Sequence, residues 1–477
     1  MMTVLLLPWL VALAIVLAGR SPNLREAISV LGGVLLFTQV FELYQSPPQE
    51  WVIAAPFPGL EVGFAVEPLG VLFALVASAL WPVTALYAIG YMRGHGEANQ
   101  TRFFACFALA MGAVMGIAFS RDMLTLFFFY ELLTLATYPL VTHSGTDAAR
   151  KGGRVYLGVL LFTSIALLLL ALIGIQVEAG SLTFTQGGVF AGEHNPLLLS
   201  ALLVLFVLGV GKAAMMPFHR WLPAAMVAPT PVSALLHAVA VVKAGVFTVL
   251  KGVVYLFGLS TVAELPVTPI LLGLAALTIV WASLVAMRQD NLKKRLAYST
   301  VSQLGYVTAA ALLATPMGVM AGGMQIAAHA LGKITLFFCA GAILVAAHKT
   351  NVSEMDGLGR RMPWTMAAFL LASLSIIGLP PTGGAWGKWL LLNASLDTTQ
   401  WLLVWVLALS TLLNVAYLLP IPIRAFLAKP DDGQEAHGGE APWPALVALL
   451  ITALGTLVLF WTPEPLVELG RLAGGGE

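Results

Sequence analysis

Six ionisable side chains lie within long apolar stretches of this 477-residue sequence. They are Glu131, Lys212, Lys243, His329, Lys333 and Lys388. A charge at the centre of a bilayer costs roughly 2.5–3.5 kcal/mol on insertion scales, so such residues are functional candidates by default. Each of these groups can gain and lose a proton, and the chemistry they could perform together is therefore proton transfer.

Buried lysines suit this chemistry well. Burial lowers the pKa of a lysine by up to several units, and a nearby carboxylate raises it again. A buried lysine beside a carboxylate that moves away can therefore switch between its charged and neutral forms near pH 7. His329 and Lys333 are one helical turn apart and share a helix face. The residues predict a proton path in which such groups are bridged by water.

The alternative is a set of static ion pairs that lock helices together. Four buried lysines facing one buried glutamate would leave most of the charges unpaired at great cost, which favours the proton path. For the secondary candidates His237 and Lys294, the static and functional interpretations both stay open. His219 is a further candidate that could instead anchor a helix end near the membrane interface. Lys251, near the end of its segment, is expected to reach the headgroups and is left out of the path.

The composition indicates the environment in which these residues lie. Hydrophobic residues make up 59% of the chain and charged residues 10%, with a mean hydropathy of +0.91. Soluble domains are about 45–50% apolar and about 25% charged, so the sequence predicts an all-α polytopic membrane protein. Fourteen segments are apolar enough to span the bilayer. They lie near 3–19, 25–44, 67–92, 103–120, 122–142, 154–177, 196–227, 232–256, 267–287, 294–314, 317–347, 364–396, 400–427 and 443–462.

The loops between these segments alternate in charge. The odd loops carry Lys and Arg, whereas the even loops carry none except Arg121. Positively charged loops face the cytoplasm, so both termini are predicted on the non-cytoplasmic side of a bacterial or archaeal cell membrane. The first apolar segment lacks a basic residue ahead of it, which favours a membrane span over a signal peptide. The longest polar insert, near Lys429–Ala441, is predicted to be a solvated loop.

Two segments carry helix-breaking prolines, Pro217 with Pro223 and Pro380 with Pro381. Proline removes a helix hydrogen bond, and lipid cannot satisfy the freed carbonyl groups, so broken helices are buried in protein or line a wet cavity. Corresponding breaks in two halves of a chain are typical of inverted-repeat transporters. The alternative, a kink that serves packing alone, is less favoured because each break lies beside a buried lysine.

Other chemistry has no visible motif. The sequence contains no phosphate-binding loop, no CxxC motif and no histidine pair placed to hold a haem. The two cysteines, Cys106 and Cys339, form no metal or disulfide framework, and the net charge of +1 gives no nucleic-acid footprint. No cofactor and no metal site are predicted. The energy for proton movement must then come from an ion gradient or from partner subunits.

The stretches around the first break and after residue 290 resemble a known family. Met216-Pro-Phe-His-Arg-Trp-Leu-Pro followed by Ala224 through His237, and Asn291-Leu-Lys-Lys-Arg-Leu-Ala-Tyr-Ser-Thr-Val-Ser-Gln-Leu-Gly305, are similar to the antiporter-like proton-translocating subunits. These occur in Mrp-type monovalent cation/proton antiporters, in respiratory complex I and in membrane-bound hydrogenases. The Gly357–Pro381 stretch resembles Mrp D-type subunits, whereas the region of His237 is closer to the A-type and the complex I L-type.

The resemblance implies two inverted five-helix repeats, each with one broken helix. The predicted divisions are 1–102 for three N-terminal spans, 103–256 and 267–427 for the repeats, and 443–477 for the last span and tail. Glu131 and Lys212 resemble the charge pair of the family, and their pairing would hold the proton until it passes to Lys243. His329 and Lys333 resemble the central relay, and Lys388 resembles the exit residue.

Two functions follow from this resemblance. The first is the proton-translocating subunit of a multisubunit Na⁺/H⁺ antiporter, working beside other hydrophobic membrane subunits. The second is the proton-pumping membrane subunit of a redox-driven complex of the NADH:quinone oxidoreductase or hydrogenase type, in which the enzymatic activity would belong to the complex. The sequence leaves open which complex it is, the second ion and the direction of transport, and a purely structural scaffold is the least favoured reading.

Overall fold

The computed structural model describes the chain except residues 58, 59, 191, 193, 236–238, 430–438 and 477. The elements of the first part are α1 (Met2–Leu17), α2 (Pro22–Gln45), β1 (Glu50–Phe57), β2 (Leu60–Ala65), α3 (Pro68–Gly94), α4 (Gln100–Ala118), α5 (Met123–Val141), α6 (Asp147–Phe162) and α7 (Leu169–Ala179). The middle part contains α8 (Pro196–Gly209), α9 (Trp221–Ala224), α10 (Thr230–Ala234), α11 (Val241–Gly252), α12 (Leu259–Glu264) and α13 (Thr268–Met287). The last part contains α14 (Leu292–Leu312), α15 (Pro316–Ala347), α16 (Pro363–Ile377), α17 (Gly384–Asp397), α18 (Trp401–Leu418), α19 (Pro420–Leu427), α20 (Trp443–Trp461) and α21 (Glu464–Ala473). Most of the predicted acidic loop near Lys429–Ala441 lies outside the described residues.

Nine helical runs in the described ranges are long and apolar enough to cross a membrane. They are α2, α3, α4, α5, Asp147–Ala179, α13, α15, Trp401–Leu427 and α20, with α1, α8 and α16 as shorter apolar helices. The sequence predicts more spans than these nine, and the predicted spans at the two breaks divide into shorter helices. The protein is a mostly helical, multi-pass membrane protein, as its composition predicts.

One β-hairpin corrects the expectation of an all-α fold. β1 and β2 pair antiparallel in the stretch that was expected to be the loop between the second and third spans. The hairpin is tied to the junction of α4 and α5, because Ala65 N donates to Phe119 O at 2.7 Å and Arg121 N donates to Gly63 O at 3.0 Å. The run Trp51-Val52-Ile53 favours a strand, and the stretch is too short and too interrupted to span the membrane as a helix.

The hairpin also accounts for Arg121, the exception to the loop-charge pattern. Its guanidinium forms ion pairs with Glu50, at 3.1 Å, and with Glu61, one on each strand. The charge of Arg121 is therefore balanced locally, so this arginine does not contradict the alternation of charge between the loops.

The centre of the fold is the 32-residue helix α15. It packs against α3, α10, α14, α16, α17, α20 and α21. Tyr87 on α3 stacks on Phe338 of α15 with ring centres 3.8 Å apart, and its hydroxyl donates to the Phe338 carbonyl oxygen at 2.9 Å. Because so many helices contact α15, its polar side chains are screened from lipid.

Lys251 on α11 is fully buried, so the prediction that it reaches the headgroups is wrong. Its Nζ forms an ion pair with Glu67 at 2.6 Å and donates to Ser120 O at 2.7 Å. The junction of α4 and α5 covers this end of α11 and leaves the side chain no route to the surface. A carboxylate at the start of α3 and a lysine on α11 therefore join the N-terminal helices to the centre of the protein.

We expect Glu67→Gln to lower the stability of the protein by about 3–5 kcal/mol, because it leaves Lys251 buried without a counter-charge. The double variant Glu67→Gln/Lys251→Met should recover more than half of this loss. The readout is the Tm of the purified complex. Glu468→Gln, which removes the exposed ion pair with Arg471, is the control and should leave the Tm unchanged. Equal destabilisation in the single and double variants would contradict the assignment.

Candidate functional site

Lys212 lies where the first broken helix ends. α8 stops at Gly209, and Gly211–Ala213 form one 3₁₀ turn that buries Lys212 completely. Its Nζ donates to two neutral acceptors on α5, Tyr130 O at 2.8 Å and Thr134 Oγ1 at 2.6 Å. It also lies 3.2 Å from the centre of the Tyr130 ring. The ammonium group is therefore held by neutral oxygens and an aromatic face.

The polar backbone at this break finds its partners inside the protein. Trp221 Nε1 donates to Gly211 O at 2.9 Å, and Lys212 N donates to the Tyr130 hydroxyl at 3.1 Å. The break precedes Pro217, and Pro223 lies within the short helix α9. A non-helical segment at membrane depth needs such internal partners because lipid offers none.

Glu131 is next to Tyr130 on α5 but does not contact Lys212 in this structure. Both of its carboxylate oxygens are buried without a hydrogen-bond partner in the described part of the chain. The side chain lines a cavity of about 730 Å³ whose walls come from α1, the hairpin, α4 and α5. The walls are almost entirely apolar, with residues such as Trp9 and Phe128. The predicted charge pair is open here, and its closing stays a prediction.

Lys243 and His329 join α11 to α15. Lys243 is fully buried, and its Nζ is hydrogen-bonded to Nδ1 of His329. Two residues further along α11, Gly245 packs directly on the first break, where an added Cβ would lie 2.3 Å from both Lys212 C and Ala213 N. Only glycine allows this approach, which places Lys243 on the helix that touches the turn carrying Lys212.

Lys333 lies one turn after His329 on α15, and we call Lys243, His329 and Lys333 the central row. Its Nζ donates to Ser299 Oγ on α14 at 2.6 Å. The same serine oxygen accepts a hydrogen bond from the Tyr417 hydroxyl at 2.8 Å, and Tyr417 is also bonded to Asn414 on α18. Lys333 therefore belongs to a buried polar network that reaches from α15 through α14 to α18.

A pair of glutamines lies between the central residues and the second break. Gln325 Nε2 on α15 donates to Gln303 Oε1 on α14 at 2.8 Å, and both side chains are buried. Gln325 lies one turn before His329. On its other side α17 approaches closely, since a Cβ on Gly387 would lie 2.4 Å from Gln325 Oε1. Lys388 is the residue that follows Gly387.

Lys388 lies against the second break. α16 ends at Ile377 and α17 begins at Gly384, with Pro380 and Pro381 between them. Lys388 Nζ donates to Ile377 O, a carbonyl that the helix end leaves free, at 2.8 Å, and to Thr411 Oγ1 at 3.1 Å. The side chain is half-buried and lines a cavity of about 460 Å³. Lys388 therefore lies where the second break meets a cavity.

The secondary candidates lie outside this row or beyond the described residues. His237 is one of the residues that the structure does not describe. Lys294 is exposed near the start of α14. His219 lies in the turn after the first break, with its ring centre 6.4 Å from that of Tyr298. The structure therefore brings together Lys243, His329 and Lys333, with Lys212 and Lys388 each beside a break.

The sequence did not indicate the neutral polar residues that accept hydrogen bonds from these lysines or bond to one another beside them. They are Tyr130, Thr134, Ser299, Gln303, Gln325, Thr411 and Tyr417. One signal was available, since Gln325, His329 and Lys333 follow each other at intervals of one turn on a single helix face. In the described ranges, no three His, Cys, Asp or Glu side chains are grouped so that they could hold a metal ion.

The family described as NADH:quinone oxidoreductase/Mrp antiporter, TM, matches residues 120–414, which is more than half of the chain and includes both breaks. The chain belongs to this family. The resemblance predicted from its motifs is thereby confirmed, and the protein is an antiporter-like membrane subunit of the Mrp and complex I type. The residue-by-residue roles implied by that resemblance stay predictions.

Three relatives illustrate the range of the family. The chain is 31% identical over 471 residues to subunit N of an NADH-quinone oxidoreductase from Desulforudis audaxviator, covering 94% of this chain and 91% of the relative. It is 30% identical to subunit A1 of a Na⁺/H⁺ antiporter from Staphylococcus haemolyticus, covering 72% of this chain but 44% of the relative. A chain of the membrane-bound sulfane sulfur reductase, an archaeal respiratory complex, has the same fold, with a TM-score of 0.87, 24% identity and coverage of 99% and 96%.

We expect Gln325→Leu to slow proton transport at least about tenfold, because it removes the side chain that bonds Gln303 and lies against Gly387, the neighbour of Lys388. The matched control is Thr335→Val on the same helix. Thr335 is buried and polar, but it bonds Leu331 O and Thr452, away from the lysines. Proton flux into vesicles carrying the complex is the readout, and equal flux in both variants would remove Gln325 from the path.

Proposed function

We propose that this subunit carries protons across the membrane through Glu131, Lys212, Lys243, His329, Lys333 and Lys388. The observation that carries the proposal is the hydrogen bond between Lys243 and His329. It joins a buried proton donor on one side of the first break to a buried acceptor on the central helix.

The transfer step follows from the hydrogen-bonding capacity of the two groups. A lysine ammonium has donors only, whereas a neutral histidine offers one ring nitrogen as an acceptor. Movement of the shared proton leaves a neutral lysine and a charged histidine. Lys333, one turn away, can take the next proton after the ring or a water reorients. Because adjacent buried cations repel each other, the row favours one mobile charge at a time.

Glu131 is the proposed switch for the first lysine. In the open state Lys212 bonds to Tyr130 and Thr134, which are neutral. Movement of the Glu131 carboxylate toward Lys212 would stabilise the charged lysine and hold the proton. Movement of the carboxylate back into its cavity would remove this stabilisation and favour release toward Lys243. The missing partner of Glu131 in the open state supports this role.

The proposed architecture has fourteen spans with inverted repeats at 103–256 and 267–427, preceded by 1–102 and followed by 443–477. Two helices interrupted beside Lys212 and Lys388 support the repeat, since each half then has one broken helix and one adjacent lysine. The alternation of Lys and Arg between loops supports both termini on the non-cytoplasmic side of the cell membrane.

The proposed assembly is a multisubunit Na⁺/H⁺ antiporter with other hydrophobic membrane subunits. Similarity to the Na⁺/H⁺ antiporter subunit A1 supports it. The second candidate is the proton-pumping subunit of a redox-driven complex. A specific observation favours it, because the subunit N relative matches along 91% of its own length, whereas the antiporter relative matches along 44%.

Transport in everted vesicles that carry the whole complex tests both candidates. We expect Lys212→Met to abolish proton movement while the complex still assembles, because the variant keeps the apolar stem and removes the ammonium. Lys294→Met, at an exposed lysine, is the matched control and should transport like the wild type.

Two arms separate the two assemblies. If added Na⁺ dissipates an imposed pH gradient, the complex is an antiporter. If only a reductant such as NADH moves protons, it is a redox pump. Wild-type transport by an assembled Lys212→Met variant in both arms would remove the lysine row from the mechanism.

A further inference from the structure

A polar pocket lies at one end of α2, α3 and α4, outside the stretch 120–414 that the family matches. It has a volume of about 740 Å³ and is open to the surface. Three arginines line it, Arg25 from α2, Arg93 from α3 and Arg102 from α4. None of them belongs to the proton path, and such a concentration of guanidinium groups in one pocket points to an anionic ligand.

Two long helices begin at this pocket. α2 has 24 residues and α4 has 19, and neither Ser21 nor Asn99 caps its helix with a side-chain hydrogen bond. The first N–H groups of a helix have no intrahelical partner, and the helix dipole adds partial positive charge there. Gln100 and Thr101, at the start of α4, line the pocket. The backbone therefore adds to the attraction that the arginines exert on an anion.

Arg25 gives an independent indication of a ligand. The residue is 5% exposed, and its guanidinium donates to Gln100 Oε1 at 2.8 Å, to Thr101 Oγ1 at 3.1 Å and to Glu26 Oε1 at 3.2 Å. Its Nε is buried and has no hydrogen-bond partner in the described part of the chain. An unsatisfied buried donor on a charged group is costly, and an acceptor bound in the pocket would remove that cost.

The charges around the pocket do not cancel. Glu26 is shared by Arg25 and Arg93, with Arg93 Nη2 at 2.5 Å. Glu97, the carboxylate that lines the pocket, contacts His95 at 3.1 Å. Arg102 donates to a neutral acceptor, His143 O, at 2.9 Å. Three guanidinium groups therefore face two carboxylates, and of these three arginines Arg102 has no ion pair with a described residue.

We propose that this pocket binds the phosphate of an anionic phospholipid headgroup. The planar donor fork of arginine matches phosphate oxygens, and basic pockets between membrane helices are suited to anionic headgroups. The surface beside the pocket favours a phospholipid over free phosphate as the source of the anion. Leu24, Leu31 and Leu35 of α2 are exposed by 53%, 66% and 49%, and they form an apolar strip next to Arg25 along which acyl chains can lie.

Native mass spectrometry of the intact purified complex tests the proposal. The probes are phosphatidylglycerol, phosphatidylcholine and inorganic phosphate, each titrated onto delipidated complex. We expect phosphatidylglycerol to bind at least about tenfold more tightly than either other probe. Arg25→Gln and Arg102→Gln should each weaken its binding about tenfold or more, as expected when a charge-assisted hydrogen bond is lost.

Arg150→Gln is the matched control. Arg150 is an exposed arginine at the start of α6, its side chain 66% exposed, and it does not line the pocket. This variant should bind phosphatidylglycerol like the wild type. Because Arg25 also bonds neighbouring residues, Arg25→Gln could fail to assemble, and the more exposed Arg102→Gln then decides the outcome.

Three results would overturn the proposal. Unchanged phosphatidylglycerol binding in an assembled Arg102→Gln variant would show that the lipid binds elsewhere. Equal affinity for inorganic phosphate and phosphatidylglycerol would identify a free-anion site. No binding of phosphatidylglycerol to the intact complex would indicate that an acidic group of a partner subunit fills the pocket. Lipid binding is measured separately from transport, so none of these results bears on the proton path.

Discussion

The structure depends on one constraint, which is that a lysine ammonium buried among apolar side chains must find hydrogen-bond acceptors inside the protein. Lys212, Lys333 and Lys388 meet this constraint in the same way, with backbone carbonyl and side-chain hydroxyl oxygens as acceptors. A neutral acceptor satisfies the donors of the charged form and loses little when the proton leaves. A carboxylate in contact would instead hold the charge in place. The helix breaks matter here, because the end of α16 provides a free carbonyl at membrane depth.

Lys251 shows the opposite solution within the same chain. It shares helix α11 with Lys243, is equally buried, and is held by Glu67 in direct contact. A buried pair of this kind has a high cost when one partner is removed, which suits a fixed connection between helices. Lys243, two turns away, has a histidine as its partner instead. The choice of partner, not burial, separates the structural lysine from the lysines of the proposed path.

The sequence predicted the coarse features of the protein well because they depend on single-residue properties. Low charge and long apolar runs indicated the membrane fold, and the motifs indicated the family. The sequence could not show that Lys251 is enclosed, because this depends on Glu67 and the α4–α5 junction, which are distant in the chain. The sequence also could not show the contacts of Ser299 and Gln303. A neutral polar residue on a helix does not indicate which side chain of another helix it will contact.

Close helix packing links the two breaks to the central helix. At Gly245, α11 touches the turn of Lys212, and at Gly387, α17 touches Gln325 on α15. Neither contact leaves room for a side chain on the glycine. A shift of either broken helix would therefore displace the helix packed against it, which carries the next ionisable group. Lys243 and Lys388 each lie within two residues of such a contact. Each break is therefore in close backbone contact with a helix next to the central row, although the described residues show no direct contact between Lys212 and Lys243.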